Sequence, residues 1–99
     1  MIAARLDPEE AETRVIHELI DFSGKDVLEI GCGDGRLTWR YADRAASVLA
    51  IDPKDDEVKT AIQHTPDTLT PIVSFRAADI CTMDLPEEAY DVAVLSWSL

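Results

Sequence analysis

Four short apolar stretches recur along the chain and are separated by segments whose apolar residues follow a helical spacing. Runs of this length predict buried strands, which we place at residues 26–30, 47–52, 71–79 and 92–97. The last run is nearly continuous over Val92–Leu95, the pattern of a strand that is covered on both faces. Strands that alternate with helices predict right-handed crossovers and a parallel sheet.

The first predicted helix precedes all four strands. It begins after Asp7, because an N-cap aspartate, a proline at the first helical position and an acid in the first turn follow one another there. Apolar residues then recur at helical spacing as far as Ile20, and Gly24 follows as a plausible helix end.

Two further helices are predicted between the strands. One covers about residues 36–45, and its inward face consists of Leu37, Tyr41 and Ala45. The other covers about residues 54–64, and its inward face consists of Val58, Ala61 and Ile62.

The composition limits the classes of function. A chain of 99 residues forms one small domain, and 46% hydrophobic residues is typical of a globular protein. The formal net charge of −11 argues against a nucleic-acid backbone as the main partner, because phosphate binding needs a basic face. No apolar run approaches the roughly 20 residues of a membrane span, so we predict no membrane partner.

The two cysteines, Cys32 and Cys81, are too far apart in sequence for a Cys-x-x-Cys pair. We therefore predict two reduced thiols and a cytoplasmic protein. The chain also has two histidines, but no spacing among its histidines and cysteines is that of a metal site. No metal ligand is predicted.

A glycine-rich loop follows the first predicted strand and is the centre of the candidate chemistry. Gly31, Gly33 and Gly35 alternate with other residues, and glycine at such positions takes a positive φ and lets a ligand approach the bare backbone. The chain turns helical directly after the loop, so free N–H groups face the same crevice. The loop is suited to the polar part of a nucleotide-like ligand.

The spacing of the residues within the loop limits the class of ligand that it can bind. A dinucleotide fingerprint needs a third glycine at position 36, where this chain has Arg36, and a phosphate loop needs a Gly-Lys-Ser/Thr ending, which is absent. Glu29 precedes the loop, and its carboxylate would repel a pyrophosphate but suit a ligand with an ammonium group. A nicotinamide-dependent dehydrogenase is therefore disfavoured.

Asp52 ends the second predicted strand, roughly 20 residues after the glycine loop, where dinucleotide-type folds place the acid that binds a ribose. A carboxylate at this position accepts hydrogen bonds from two vicinal hydroxyls. The same residue also fits the N-terminal cap of a helix that begins at Pro53. Both interpretations remain open from the sequence, and ribose binding is the favoured one.

The run Glu29-x-Gly31-x-Gly33-x-Gly35 after an apolar strand resembles motif I of the class I S-adenosylmethionine-dependent methyltransferases. The resemblance covers roughly residues 10–99. It implies an α/β fold, a Rossmann-like parallel sheet with flanking helices, here incomplete with about four strands in the order 3-2-1-4. It also implies S-adenosylmethionine as cofactor and S-adenosylhomocysteine as product.

The resemblance also suggests site residues. An acid after the third strand accepts a hydrogen bond from the adenine amino group, and the next backbone N–H donates to the ring, roles that fit Asp79 and Ile80. No catalytic residue is implied. The full set of expected cofactor-binding residues is Glu29, Gly31, Cys32, Gly33, Gly35, Asp52, Pro53, Asp79, Ile80 and Ser96.

The chain ends with its fourth predicted strand, whereas members of this family continue through three more strands. We therefore expect one domain, residues 1–99, that corresponds to the N-terminal, cofactor-binding portion of a methyltransferase, with an unknown methyl acceptor. The alternative is a non-catalytic cofactor-binding or interaction module that needs a partner chain. The uncovered edge of the fourth strand predicts a homodimer through that edge.

Overall fold

A parallel β-sheet forms the centre of the molecule. The computed structural model describes residues 2–5, 20–82 and 89–95. Within these residues the strands are β1 (Ile2–Arg5), β2 (Asp26–Ile30), β3 (Ser47–Asp52), β4 (Val73–Ala77) and β5 (Val92–Leu95). They lie in the order β1-β5-β2-β3-β4, and every neighbouring pair is parallel. The four strands predicted from the sequence are β2 to β5, and their order 3-2-1-4 is confirmed.

The central strand β2 lies between β3 and β5, and it is buried, as its apolar pattern predicts. Val27 pairs in register with Val48 of β3 and with Val92 of β5, and all three side chains are buried. Two positions further along, Glu29 lies level with Ala50 and Val94 and has no exposed surface. A carboxylate thus occupies the middle of an apolar sheet, directly before the glycine loop.

Two predicted strands are shorter than expected. The third covers Val73–Ala77 rather than 71–79, because Pro71 lies in a turn and the chain leaves the sheet before Asp79. The fourth covers Val92–Leu95, and residues 96 and 97 lie outside the described residues.

Strand β1 has no counterpart in the sequence prediction. It pairs with the edge of β5 that we expected to be free, with Ile2 level with Val92 and Arg5 level with Leu95. The expectation of an uncovered edge is therefore wrong, since this chain supplies the covering strand itself. A homodimer through the edge of β5 would first require β1 to leave the sheet.

Helix α1 (Asp55–His64) follows β3 and agrees with the helix predicted over 54–64. Val58 and Ala61 are buried as expected, but Ile62 is 54% exposed, so its predicted inward orientation is wrong. Ile62 lies about 100° around the helix from Ala61, on a side that no described element covers.

The segment predicted as a helix over 36–45 forms two short 3-10 turns instead, Thr38–Arg40 and Ala42–Arg44. Tyr41 separates them with φ −131° and ψ −17°, outside the helical region. The predicted inward face is nevertheless confirmed, since all three of its residues are buried in the core, namely Leu37, Tyr41 and Ala45. The departure from an α-helix accompanies the inward hydrogen bonds of Thr38 and Tyr41 to Glu29, described below.

Most of the helix expected to begin after Asp7 falls on residues 6–19, outside the described residues. Its predicted last residues are described, and they are not helical, because residues 20–22 have no regular structure and Gly24 lies in a turn. Among the described helices, none combines the length and the apolar character that crossing a membrane requires.

Candidate functional site

A cavity of about 670 Å³ opens at the carboxyl ends of β2 and β3 and extends to the segment that follows β4. Ligands of open α/β sheets bind outside the carboxyl ends of the strands, near the position where the strand order reverses. Seven of the residues expected from the sequence line this cavity, namely Gly31, Cys32, Gly33, Asp52, Pro53, Asp79 and Ile80. The tertiary structure therefore brings the glycine loop and both aspartates to one place.

The glycine loop is anchored to β3 by its own backbone. The N–H groups of Gly31 and Cys32 both donate to the carbonyl oxygen of Ile51, at 2.8 and 3.0 Å. Gly33 has φ +56°, and a Cβ atom at this position would lie 3.8 Å from Oε2 of Glu57. Gly33 thus leaves its side of the cavity open to a ligand.

Gly35 has a different role from the other loop glycines. It is not among the residues that line the cavity, and its φ is +91°. A Cβ atom here would lie 2.6 Å from Cζ2 of Trp39 and 3.3 Å from Cζ of Phe75. The glycine is therefore required for the packing of two aromatic rings, whose centroids lie 5.4 Å apart, rather than for contact with a ligand.

Asp52 joins the glycine loop to the start of α1. Its Oδ2 accepts a hydrogen bond from the Gly33 N–H at 3.0 Å, and its Oδ1 accepts one from the Lys54 N–H at 2.9 Å. Lys54 is the N-cap residue of α1, so Asp52 supports the helix start without being the cap itself. Each carboxylate oxygen has a second lone pair for a ligand hydroxyl, so the structural role and ribose binding are compatible.

Glu29 does not reach the cavity surface. Its Oε1 accepts hydrogen bonds from the Thr38 hydroxyl at 2.7 Å and from the Tyr41 hydroxyl at 2.6 Å, and all three residues are fully buried. Burial raises the pKa of Tyr41 well above its ordinary value, and the nearby Glu29 carboxylate raises it further, so the phenol stays protonated and donates. In this structure Glu29 supports the loop from below, and the sequence-based expectation of contact with a ligand ammonium group has no geometric support.

Cys32 lines the cavity but remains a buried thiol. Burial is the main cause that raises its pKa well above the ordinary range, and the carboxylates of Glu29 and Asp52 add to the effect. The thiol lies 3.6 Å from the carbonyl oxygen of Gly33. Since thiolate is the reactive form of cysteine, Cys32 is not a nucleophile at neutral pH.

Asp79 and Ile80 follow β4 and form the part of the cavity wall that is most distant in sequence from the glycine loop. Asp79 is exposed, and its Oδ1 accepts a hydrogen bond from the Cys81 N–H at 2.9 Å. Ile80 begins a 3-10 turn, Ile80–Thr82. The carboxylate of Asp79 and the backbone of Ile80 are thus presented side by side. The expected site residue Ser96 lies outside the described residues.

Sequence reasoning missed several residues of the cavity wall. Its charged members beyond the two aspartates are Asp34, Arg36, Lys54 and Glu57. Proximity to the loop would have found Asp34 and Arg36, and the turn into α1 after Asp52 would have found Lys54 and Glu57. Among the described residues, no group of three His, Cys, Asp or Glu side chains is arranged to hold a metal ion.

Comparisons with known proteins agree with this geometry. The family described as "Methyltransferase domain" matches residues 27–99. Phosphoethanolamine N-methyltransferase 1 of Triticum aestivum is 34% identical over 99 residues, which cover 98% of this chain and 20% of the wheat protein. The chain belongs to the class I S-adenosylmethionine-dependent methyltransferase family.

Solved structures of other methyltransferases share the fold of this methyltransferase domain. Phosphoethanolamine N-methyltransferase 1 of Haemonchus contortus, in complex with phosphoethanolamine and S-adenosylhomocysteine, superposes with a TM-score of 0.75 and 26% identity, over 89% of this chain and 19% of the other. An RNA methyltransferase of Salinibacter ruber, in complex with S-adenosylhomocysteine, also gives a TM-score of 0.75 and 26% identity, over 91% of this chain and 60% of the other. The curated relatives are much longer, since the chain spans 11% to 23% of their length.

Proposed function

We propose that this domain binds S-adenosylmethionine and its product S-adenosylhomocysteine, and that it is the cofactor-binding portion of a methyltransferase. The observation that carries the proposal is the meeting of the glycine loop, Asp52 and the Asp79–Ile80 pair around one cavity. Both S-adenosylhomocysteine complexes named above are of proteins with the same fold, which supports this ligand.

The residues of the cavity fit the parts of the cofactor. Asp52 retains acceptor capacity for ribose hydroxyls, and the Asp79 carboxylate with the Ile80 N–H suits the amino group and ring nitrogen of adenine. The open side of Gly33 lets the ligand approach the loop backbone. Pro53 completes the wall next to Asp52.

When bound, S-adenosylmethionine supplies a methyl group on a positively charged sulfur, which is already a good leaving group. The contribution of the described residues is therefore to bind and orient rather than to activate. The anchored loop and Asp52 hold one rigid wall of the cavity, because the loop is hydrogen-bonded to both Ile51 and Asp52. Cys32 keeps its proton, so we assign no catalytic side chain within the described residues.

The methyl acceptor is left open by this proposal. The two solved relatives are named for phosphoethanolamine and for RNA, which are different acceptor classes. The net charge of −11 favours an acceptor other than a nucleic-acid backbone. We also propose a cytoplasmic location, which is supported by two free cysteines, Cys32 and Cys81.

Isothermal titration calorimetry with S-adenosylhomocysteine and with NAD tests the cofactor. We expect S-adenosylhomocysteine to bind and NAD not to bind. In thermal unfolding, S-adenosylhomocysteine should also raise the melting temperature of the domain, because a ligand that binds only the folded state stabilises that state. Binding of NAD without binding of S-adenosylhomocysteine would overturn the proposal. Binding of S-adenosylhomocysteine together with no methyl transfer to any acceptor would favour the alternative, a cofactor-binding module that needs a partner chain.

A further inference from the structure

Glu57 projects from the first turn of α1 into the wall of the cavity. Its Oε2 lies 3.8 Å from the position that a Cβ atom on Gly33 would occupy. Gly33 is also the residue whose N–H donates to Asp52, so the Glu57 and Asp52 carboxylates flank the same glycine. Among the described residues, no hydrogen bond or ion pair engages the Glu57 carboxylate.

A role in capping α1 does not account for Glu57. As the third residue of the helix it stands where a glutamate reaches back to the N-cap N–H in a capping box. The N-cap N–H of Lys54 instead donates to Oδ1 of Asp52 at 2.9 Å. The side chain of Glu57 is thus left facing the cavity.

The acceptor capacity of Asp52 is already shared with the protein. One of its oxygens accepts from Gly33, the other accepts from Lys54, and the residue is only 8% exposed. A ribose brings two vicinal hydroxyl donors, and Asp52 keeps one free lone pair on each oxygen for them. A second carboxylate beside Gly33 can share these donors with Asp52.

We propose that Glu57 is the second carboxylate acceptor for the ribose hydroxyls of the adenosyl ligand, and so a residue that determines specificity for a ribose over a deoxyribose. The inference rests on the proposed function, because it concerns the same cavity and ligand. Asp52 and Glu57 then share the two hydroxyls, with Gly33 between them.

The test is calorimetry of Glu57→Ala with S-adenosylhomocysteine and with its 2′-deoxy and 3′-deoxy analogues. A hydrogen bond to a charged group corresponds to about a tenfold change in affinity, so we expect Glu57→Ala to bind S-adenosylhomocysteine about tenfold more weakly than the parent chain. The loss should shrink to about twofold or less with the analogue that lacks the hydroxyl bound by Glu57. Glu57→Gln, which keeps an acceptor oxygen, should lose less than Glu57→Ala.

Asp56→Ala is the matched control. Asp56 is the neighbouring acid in the same helical turn, is exposed and does not line the cavity, so its removal changes the charge of the helix start alone. We expect affinity within about twofold of the parent, and thermal unfolding will show that each variant is folded.

Two results would overturn the role of Glu57 while leaving the proposed function intact. One is parent-like affinity of Glu57→Ala for S-adenosylhomocysteine. The other is an equal loss for S-adenosylhomocysteine and for both deoxy analogues, which would place the contact elsewhere on the ligand. A parent chain that binds no S-adenosylhomocysteine at all would instead overturn the proposed function, and this inference with it.

Discussion

The phenol oxygen of Tyr41 lies 2.6 Å from Oε1 of Glu29, and neither side chain has any exposed surface. Glu29 belongs to the central strand directly before the glycine loop, whereas Tyr41 lies between the two 3-10 turns that follow the loop. The hydrogen bond therefore joins the two ends of the loop beneath the cavity. The ring of Tyr41 is in turn stacked on Phe22 at a centroid distance of 4.5 Å, which holds the phenol in place.

We expect Tyr41→Phe to lower the free energy of unfolding by about 1–3 kcal/mol, because the buried Oε1 of Glu29 loses the hydrogen bond from the phenol. Urea denaturation measures the change. Tyr90→Phe is the control, since Tyr90 is only partly buried. Equal stability of Tyr41→Phe and the parent chain would show that this hydrogen bond makes no net contribution to the fold.

A pair of glycine substitutions separates backbone strain from steric overlap. Gly24 and Gly35 have φ of +69° and +91°, but a Cβ atom meets nothing within 4 Å at Gly24 and meets Trp39 at 2.6 Å at Gly35. We expect Gly24→Ala to cost about 1–2 kcal/mol from the left-handed backbone alone, and Gly35→Ala to cost about 1–3 kcal/mol more. Equal losses in urea denaturation would mean that the Trp39 ring moves aside without cost.

Asp52→Ala tests the two roles of this residue together. The substitution removes the acceptor for Gly33 and Lys54, so we expect the free energy of unfolding to fall by about 1–3 kcal/mol. We also expect affinity for S-adenosylhomocysteine to fall at least tenfold, since a ribose acceptor is lost. Asp79→Ala, at an exposed position, should weaken binding with little loss of stability. Unchanged affinity of a destabilised Asp52→Ala would reduce Asp52 to its structural role.

The Cys32 thiol should make the stability of the fold depend on alkaline pH. Cys32 has a raised pKa in the folded chain, mainly because it is buried. In the unfolded chain its thiol ionises with the usual cysteine pKa of about 8.5. The unfolded state alone then releases the proton, so stability is fully present below about pH 8.5 and falls above it by about 1.4 kcal/mol per pH unit. Unfolding of the parent, Cys32→Ala and Cys81→Ala as a function of pH measures this fall.

Cys32→Ala should remove the first part of this alkaline decline, and Cys81→Ala should leave it unchanged because Cys81 is exposed. The raised pKa of Tyr41 adds a second decline above about pH 10 for the same reason. A decline that persists unaltered in Cys32→Ala would contradict the assignment to Cys32.

Local patterns in the sequence were enough to predict the framework of the site. The apolar runs of β2, β3 and β5, the alternating glycines and the position of Asp52 each depend on residues that are close in sequence. Their alternation with helices predicts a parallel sheet, and the family resemblance implies the strand order 3-2-1-4. The cavity that joins Gly33, Asp52 and Asp79 is a direct consequence of that order, because the carboxyl ends of parallel strands lie at one edge.

Contacts between distant residues were decided only by the tertiary structure. The periodicity of residues 36–45 identified the buried face, but not that Thr38 and Tyr41 would donate to Glu29 and interrupt an α-helix. The same holds for the pairing of β1 with β5 and for the packing of Phe75 against Trp39. A periodic pattern records which side of an element is apolar, whereas the partner on that side depends on the packing of the whole chain.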